Sequence, residues 1–225
     1  MAGLYELMRQ YATETRPAPS EELPHPELGK SLALFHACLL ETDIERDATP
    51  GIPRLTASPD ALEPNFLSRF VVGFLPFNAV STPEETNRTL FEVYSFINWL
   101  KKQGIPHGWQ DLNFSVKVKQ LMEAQKRCLE LSHYLDEESG RVLDDPPAIT
   151  HTLADLFQVI KIDDRFVTLK GMHHEDPVRI NLPDNIVKWV RPKDHLDLVL
   201  GDTSEKWVLL EAGQVFPEFE PESGE

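Results

Sequence analysis

A chain of 225 residues, 41% hydrophobic and 26% charged, can build one large or two small cores and has the composition of a folded protein. Its 22 Lys and Arg against 37 Asp and Glu leave a net charge of −15, which favours solubility and opposes non-specific binding to nucleic acid or anionic membrane. The longest apolar runs, Leu32–Phe35 and Ala37–Leu40, fall far short of the ~20 residues of a membrane helix, and the first residues lack the basic and apolar regions of a signal peptide; a cytoplasmic location is expected.

Leu4, Leu7, Met8 and Tyr11 recur at helical spacing and predict a short amphipathic helix over 3–15. The stretch 16–29 holds Pro17, Pro19, Pro24 and Pro26 and reads as an extended linker, since proline removes a backbone donor and clashes inside a helix. Helical spacing returns over 30–42 through Leu32, Phe35, Leu39 and Leu40. A second proline-rich linker covers 47–64, and both linkers are stiff enough to lie over the helical body. Phe66, Leu67, Phe70, Val71, Phe74 and Leu75 then form an apolar stripe that Pro76 is expected to end.

Thr82-Pro83-Glu84-Glu85 joins a capping box to proline at the first helical position, a strong start signal. The helix it opens has Arg88, Glu92, Ser95 and Asn98 as its polar strip and apolar residues elsewhere, so it is the predicted central helix, stopped by Gly104 and Pro106. A third long helix is predicted over about 109–136. Lys119, Lys126 and Arg127 lie near one of its faces, interleaved with Glu123 and Glu130, and read as a solvated surface. Cys38 and Cys128, the two cysteines, fall inside helical patterns and read as small core residues.

The grammar changes at Asp144-Asp145-Pro146-Pro147. Beyond it apolar residues alternate: Val178, Ile180 and Leu182 against Arg179 and Asn181; Leu196, Leu198 and Leu200 against His195, Asp197 and Val199. Val167 and Leu169 match them after a turn at Asp163-Asp164, and Val208 and Leu210 match in the last hairpin arm. A helical turn is predicted near 184–190. The fold class expected is therefore α+β: a mostly helical body over 1–145, then a small five-stranded β-barrel, SH3-like or OB-like, over 148–217. Residues 218–225, with four acids and no base, read as a disordered acidic tail.

No nucleotide, metal or nucleophile motif stands in the chain. Two weaker arrangements remain. His173, His174, Glu175 and Asp176 are four ligand-type residues in one hairpin loop, but consecutive residues rarely converge on one ion, so a polar turn is expected and no metal or cofactor. His195 and Asp197 share a strand face and form half of a catalytic triad, without an assignable nucleophile. The first functional expectation is a non-enzymatic protein–protein interaction or adaptor protein, a helical body that recognises another protein with the barrel docked onto it, and Trp207, Leu209, Trp189 and Arg191 are the candidate partner-binding residues. The alternative is RNA or ribosome binding through the barrel, where Lys161, Lys170, Arg179, Lys188, Arg191 and Lys193 join Trp189. A hydrolase using His195 or a loop-bound metal is the third.

Overall fold

At Thr82–Glu85, where the sequence marks a helix start most strongly, the computed structural model of the chain begins one. The structure describes residues 2–15, 26–47, 53–78 and 82–218. Most of the first linker, residues 48–52 of the second and the acidic tail after Glu218 lie outside the described residues. The chain gathers into two compact units, Met1–Leu121 and Met122–Pro221.

In the first unit the apolar stripes become α1 (Leu4–Thr15), α2 (Gly29–Leu40), α3 (Pro64–Ser68), α4 (Leu75–Asn78) and α5 (Pro83–Lys102). The Thr82 hydroxyl accepts the Glu85 N–H at 3.2 Å, and the Glu85 carboxylate accepts the Thr82 N–H at 3.2 Å, closing the capping box. At the other end Gly104 turns left-handed with φ 68°; its N–H meets Lys101 and the Ile105 N–H meets Leu100, so the last carbonyls are satisfied. Leu90, Val93, Phe96, Ile97, Trp99 and Leu100 of α5 are buried, whereas Phe91 points into solvent at 68% exposure. Tyr11 of α1 meets the rings of Phe96 and Trp99 edge-on, and Trp99 Nε1 donates to Glu14 at 2.8 Å.

One expectation changes here. Pro76 does not end the stripe at 66–75: Arg69–Phe74 is a π-helical turn, and α4 carries the helix through Pro76 to Asn78. Widening the turn alters which carbonyl the missing proline N–H would have faced, so the helix passes it without a break. The described part of the second linker is packed. Leu55, Ala57 and Leu62 are buried, and the N–H groups of Leu4 and Tyr5 donate to the carbonyls of Ala57 and Leu55.

The second unit takes residues 122–144 of α6 (Phe114–Asp144) and the strands β1 (His151–Asp163), β2 (Phe166–Gly171), β3 (Val178–Asn181), β4 (His195–Asp202) and β5 (Trp207–Phe216), with a single turn of helix, α7 (Asp184–Val187), before β4. The two units divide inside α6, upstream of Pro146-Pro147, because Cys128, Leu131 and Leu135 of α6 belong to the core of the sheet.

The pairings run β1-β2-β3-β5-β4 and return to β1, so the sheet closes on itself. One long strand makes the circuit possible. β1 pairs with β4 along His151–Gln158 and with β2 along Phe157–Asp163, and a bulge at Ile160 bends it within the β2-paired stretch. All pairings are antiparallel except β3 with β5, which are parallel and in register only at Ile180 and Trp207. Val167, Leu169, Val178, Ile180, Leu196, Leu198 and Leu200 fill the interior, as the alternation predicts, and Phe157 and Val159 join them. β5 departs from it: register shifts against β4 between Leu196 and Leu198 and between Val199 and Leu200 turn Leu209 inward and leave Val208 and Leu210 half-buried. A one-residue shift exchanges the two faces of a strand.

Candidate interaction surface on the closed sheet

The outward positions of β1, β2 and β3 gather cations around apolar side chains. Phe166 opens β2 and stays 39% exposed; the Arg179 guanidinium on β3 lies 4.0 Å from its ring centroid. Ile160, turned out by the bulge, is 44% exposed, and Lys161 and Lys170 are exposed on the same three strands. Lys161 reaches Asp163 at 3.3 Å and Arg179 reaches the same carboxylate at 3.8 Å. By contrast β4, β5 and their hairpin carry Asp197, Asp202, Glu205 and Glu211, with Lys206 as their only base. Over β1–β3 and their hairpins four bases, Lys161, Arg165, Lys170 and Arg179, stand with five acids, so the bases concentrate there without a net positive charge.

Asp155 sits at one end of the interior with its side chain only 1% exposed. It accepts N–H bonds from Leu156, His173 and His174 at 2.8, 2.8 and 3.1 Å, and His173 Nδ1 lies 3.0 Å from its other side. Burial alone would raise its carboxyl, but these hydrogen bonds outweigh it and hold the group below the ordinary carboxylate value. Gly171 is part of the arrangement, since a β-carbon there would collide with the Asp155 carboxylate. Asp155 thus anchors the loop after β2.

The residues singled out from the sequence fall as follows. In the 173–176 loop, His173 is committed to Asp155; among the described residues no group of three or more His, Cys, Asp or Glu is placed to hold a metal ion. His195 is half-buried, its Nδ1 buried without a hydrogen-bond partner, while Asp197 is exposed and packs against Gly213, so no hydrogen bond joins the two. Trp207 is half-buried at the start of β5, edge-on to His151; Leu209 is in the core at 4% exposure. Trp189 stacks on Tyr134 of α6 at 6.1 Å. Arg191 is exposed and turns its guanidinium back onto the carbonyls of Lys188 and Val190.

Three features escape a reading by periodicity. The Phe166–Arg179 stack joins strands whose pairing the sequence does not state. The Asp155 anchor spans β1 and the loop after β2. Arg127, read as a solvated base, is turned inward onto the buried Asp194.

A cleft of about 300 Å³ opens beside the β3–β5 seam, lined by Glu138 and Val142 of α6, Arg165, the Asn181–Pro183 end of β3, Lys206 and the Trp207–Leu209 start of β5. It exists because the two parallel strands pair at one residue and then part. No helix among the described residues is long and apolar enough to cross a membrane. No protein-family model matches the chain, and comparison with curated proteins and with solved structures gave no match.

Proposed function

We propose that the protein is an interaction or adaptor protein whose closed sheet captures a protein partner on the outward side of β1, β2 and β3. One observation carries the reading: Ile160 and Phe166 are exposed at strand positions where solvated side chains would ordinarily stand, with Arg179 against the Phe166 ring. Aromatic and arginine side chains held in place by their own neighbours lose little freedom on binding and are favoured at the centres of interfaces. We further infer that the sheet is a small barrel of OB-like rather than SH3-like type; support comes from the circuit of strands, its parallel β3–β5 closure, and the helical turn between β3 and β4.

Affinity capture with the intact chain and with Ile160→Ser/Phe166→Ser tests the proposal. A protein enriched by the native chain and lost with the double variant, at unchanged circular dichroism, is the expected result. The same protein retained at equal yield by the folded double variant defeats the assignment of this face.

One observation favours a second reading, RNA bound on the same strands. Arg179 lies against Phe166 there, and Lys161 and Lys170 are exposed on the same strands, a combination of cations and a stacking ring that single-strand binders use. Binding of that kind releases counterions and weakens steeply as salt rises, whereas capture through apolar anchors does not.

A further inference from the structure

We propose that the cleft at the β3–β5 seam binds a nucleoside phosphate, either free or as the terminal unit of a strand. This is independent of the protein-partner reading, because the cleft uses a different set of side chains from Ile160 and Phe166.

The lining falls into chemical parts. Lys206 and Arg165 supply positive charge from two different hairpins. Arg165 is held by Asp184, with Nε and Nη2 donating at 2.6 and 2.9 Å, which leaves three guanidinium N–H groups uncommitted to that pair. Lys206 makes no ion pair among the described residues. Of the nearby carboxylates, Asp184 has Arg165 and Glu138 stands 2.6 Å from Arg141, while Asp164 beside Arg165 and Glu205 beside Lys206 make no ion pair among the described residues. The cleft lining itself holds two cations, Arg165 and Lys206, against one carboxylate, Glu138. Two cations that converge with spare donors recognise a phosphate better than a carboxylate side chain, which offers fewer acceptor oxygens.

The remaining lining suits a base. Trp207 is half-buried and provides an aromatic wall; Leu182, Pro183, Val208 and Val142 provide apolar ones. Asn181 is an exposed amide with both donors and acceptors, the pairing that reads the edge of a base. The volume is at the small end of ligand sites, enough for one nucleotide and not for a longer strand. The walls are also set in advance. The Leu182 N–H donates to the Arg165 carbonyl at 2.9 Å, and the Thr203 N–H and hydroxyl both donate to the Lys206 carbonyl, at 3.0 and 2.9 Å. Little ordering remains to oppose binding.

Calorimetry on the intact chain at low salt tests the site, with adenosine monophosphate, cytidine monophosphate, adenosine, inorganic phosphate and a 5′-phosphorylated tetraribonucleotide as probes. A nucleoside monophosphate is expected to bind about tenfold or more tightly than adenosine or phosphate alone, as charge-assisted hydrogen bonds and base contacts add. Lys206→Glu, at an exposed hairpin position, should abolish the binding, and Asn181→Ala should bring the monophosphate down towards the affinity of phosphate. A tetranucleotide that binds more tightly than the monophosphates, with the same response to Lys206→Glu, identifies a strand end as the source; equal affinities identify the free nucleotide. No heat with any nucleotide, or binding that Lys206→Glu and Lys206→Met both leave unchanged, overturns the proposal. Because Ile160 and Phe166 are intact in all these variants, loss of nucleotide with retained protein capture separates this site from the partner face.

Discussion

The guanidinium of Arg127 on α6 donates two parallel hydrogen bonds, each of 2.7 Å, to the carboxylate of Asp194, whose side chain is 1% exposed. Asp194 also accepts the Arg191 N–H at 2.8 Å, and Arg127 donates to the Trp189 carbonyl at 2.8 Å. The pair therefore ties α6 to the loop that leads into β4. Burial alone would lower the Arg127 pKa, but the contact with Asp194 outweighs it and raises it, so the guanidinium stays charged.

Removing one member strands the other. Arg127→Met is expected to destabilise the protein by about 3–5 kcal/mol, because an ionised carboxylate would remain buried without its partner. Adding Asp194→Asn to that variant should recover part of the loss, since an amide carries no charge and still accepts the Arg191 N–H. Urea midpoints of the native chain, the two single variants and the double variant measure the coupling. Strictly additive losses would show that the pair is not a unit.

Asp155 makes acid stability a second test. Its folded pKa is depressed, so its contribution is present above the unfolded carboxylate value of ~3.9 and is lost as pH falls through the lower folded value. The gap in stability between the native chain and Asp155→Asn should accordingly narrow as pH falls below the ordinary carboxylate range. Thermal midpoints over an acid-to-neutral series check the sign. A gap that widens on acidification would mean that the carboxyl is raised by burial rather than held down by the 173–174 N–H groups. Gly171→Ala should mimic part of the loss at neutral pH, since its β-carbon displaces the same carboxylate.

What the sequence disclosed follows from what periodicity can carry. Thr82 and Glu85 are three residues apart and satisfy each other, so the start of α5 is readable from four letters. The alternation of Val178, Ile180 and Leu182 reports burial on one face without reference to any partner strand. Partner identity is another kind of information. Arg127 and Asp194 are 67 positions apart, and Asp155 and His173 are 18 apart, so no local pattern distinguishes these charges from solvated ones. The bulges that turn Leu209 inward depend on pairing with β4 and leave no mark in β5 itself. The candidate binding face was hidden for the same reason: Phe166 and Arg179 meet only once β2 and β3 are set side by side.

The two cysteines should behave as inert core residues. Burial pushes the thiols of Cys38 and Cys128 up to about 12, and both side chains are nearly solvent-free. Neither should react with a thiol reagent in the native chain near pH ~8, where a free thiol already supplies appreciable thiolate. Both should react at once in denaturant. Rapid labelling of Cys128 under native conditions would show that α6 leaves the sheet transiently.

The final prediction concerns which piece of the chain folds. Leu131 and Leu135 are fully buried, and Cys128 nearly so, in the same core as Phe157, Leu169 and Leu198. A fragment beginning at 148 removes all three α6 residues and Arg127 with them, exposing the apolar surface they cover and leaving Asp194 buried without its guanidinium. Each large apolar side chain returned to water costs about 1.5–3 kcal/mol, and breaking the buried pair costs about as much again, against a total stability of only about 5–15 kcal/mol for an ordinary domain. Residues 148–218 expressed alone should therefore self-associate or unfold without a cooperative transition. Residues 122–218, which restore the helix, should be monomeric and melt cooperatively. Calorimetry with light scattering on the two fragments distinguishes the outcomes: equal cooperative unfolding in both would show that the closed sheet needs nothing from α6, and failure of both would place essential packing before Met122.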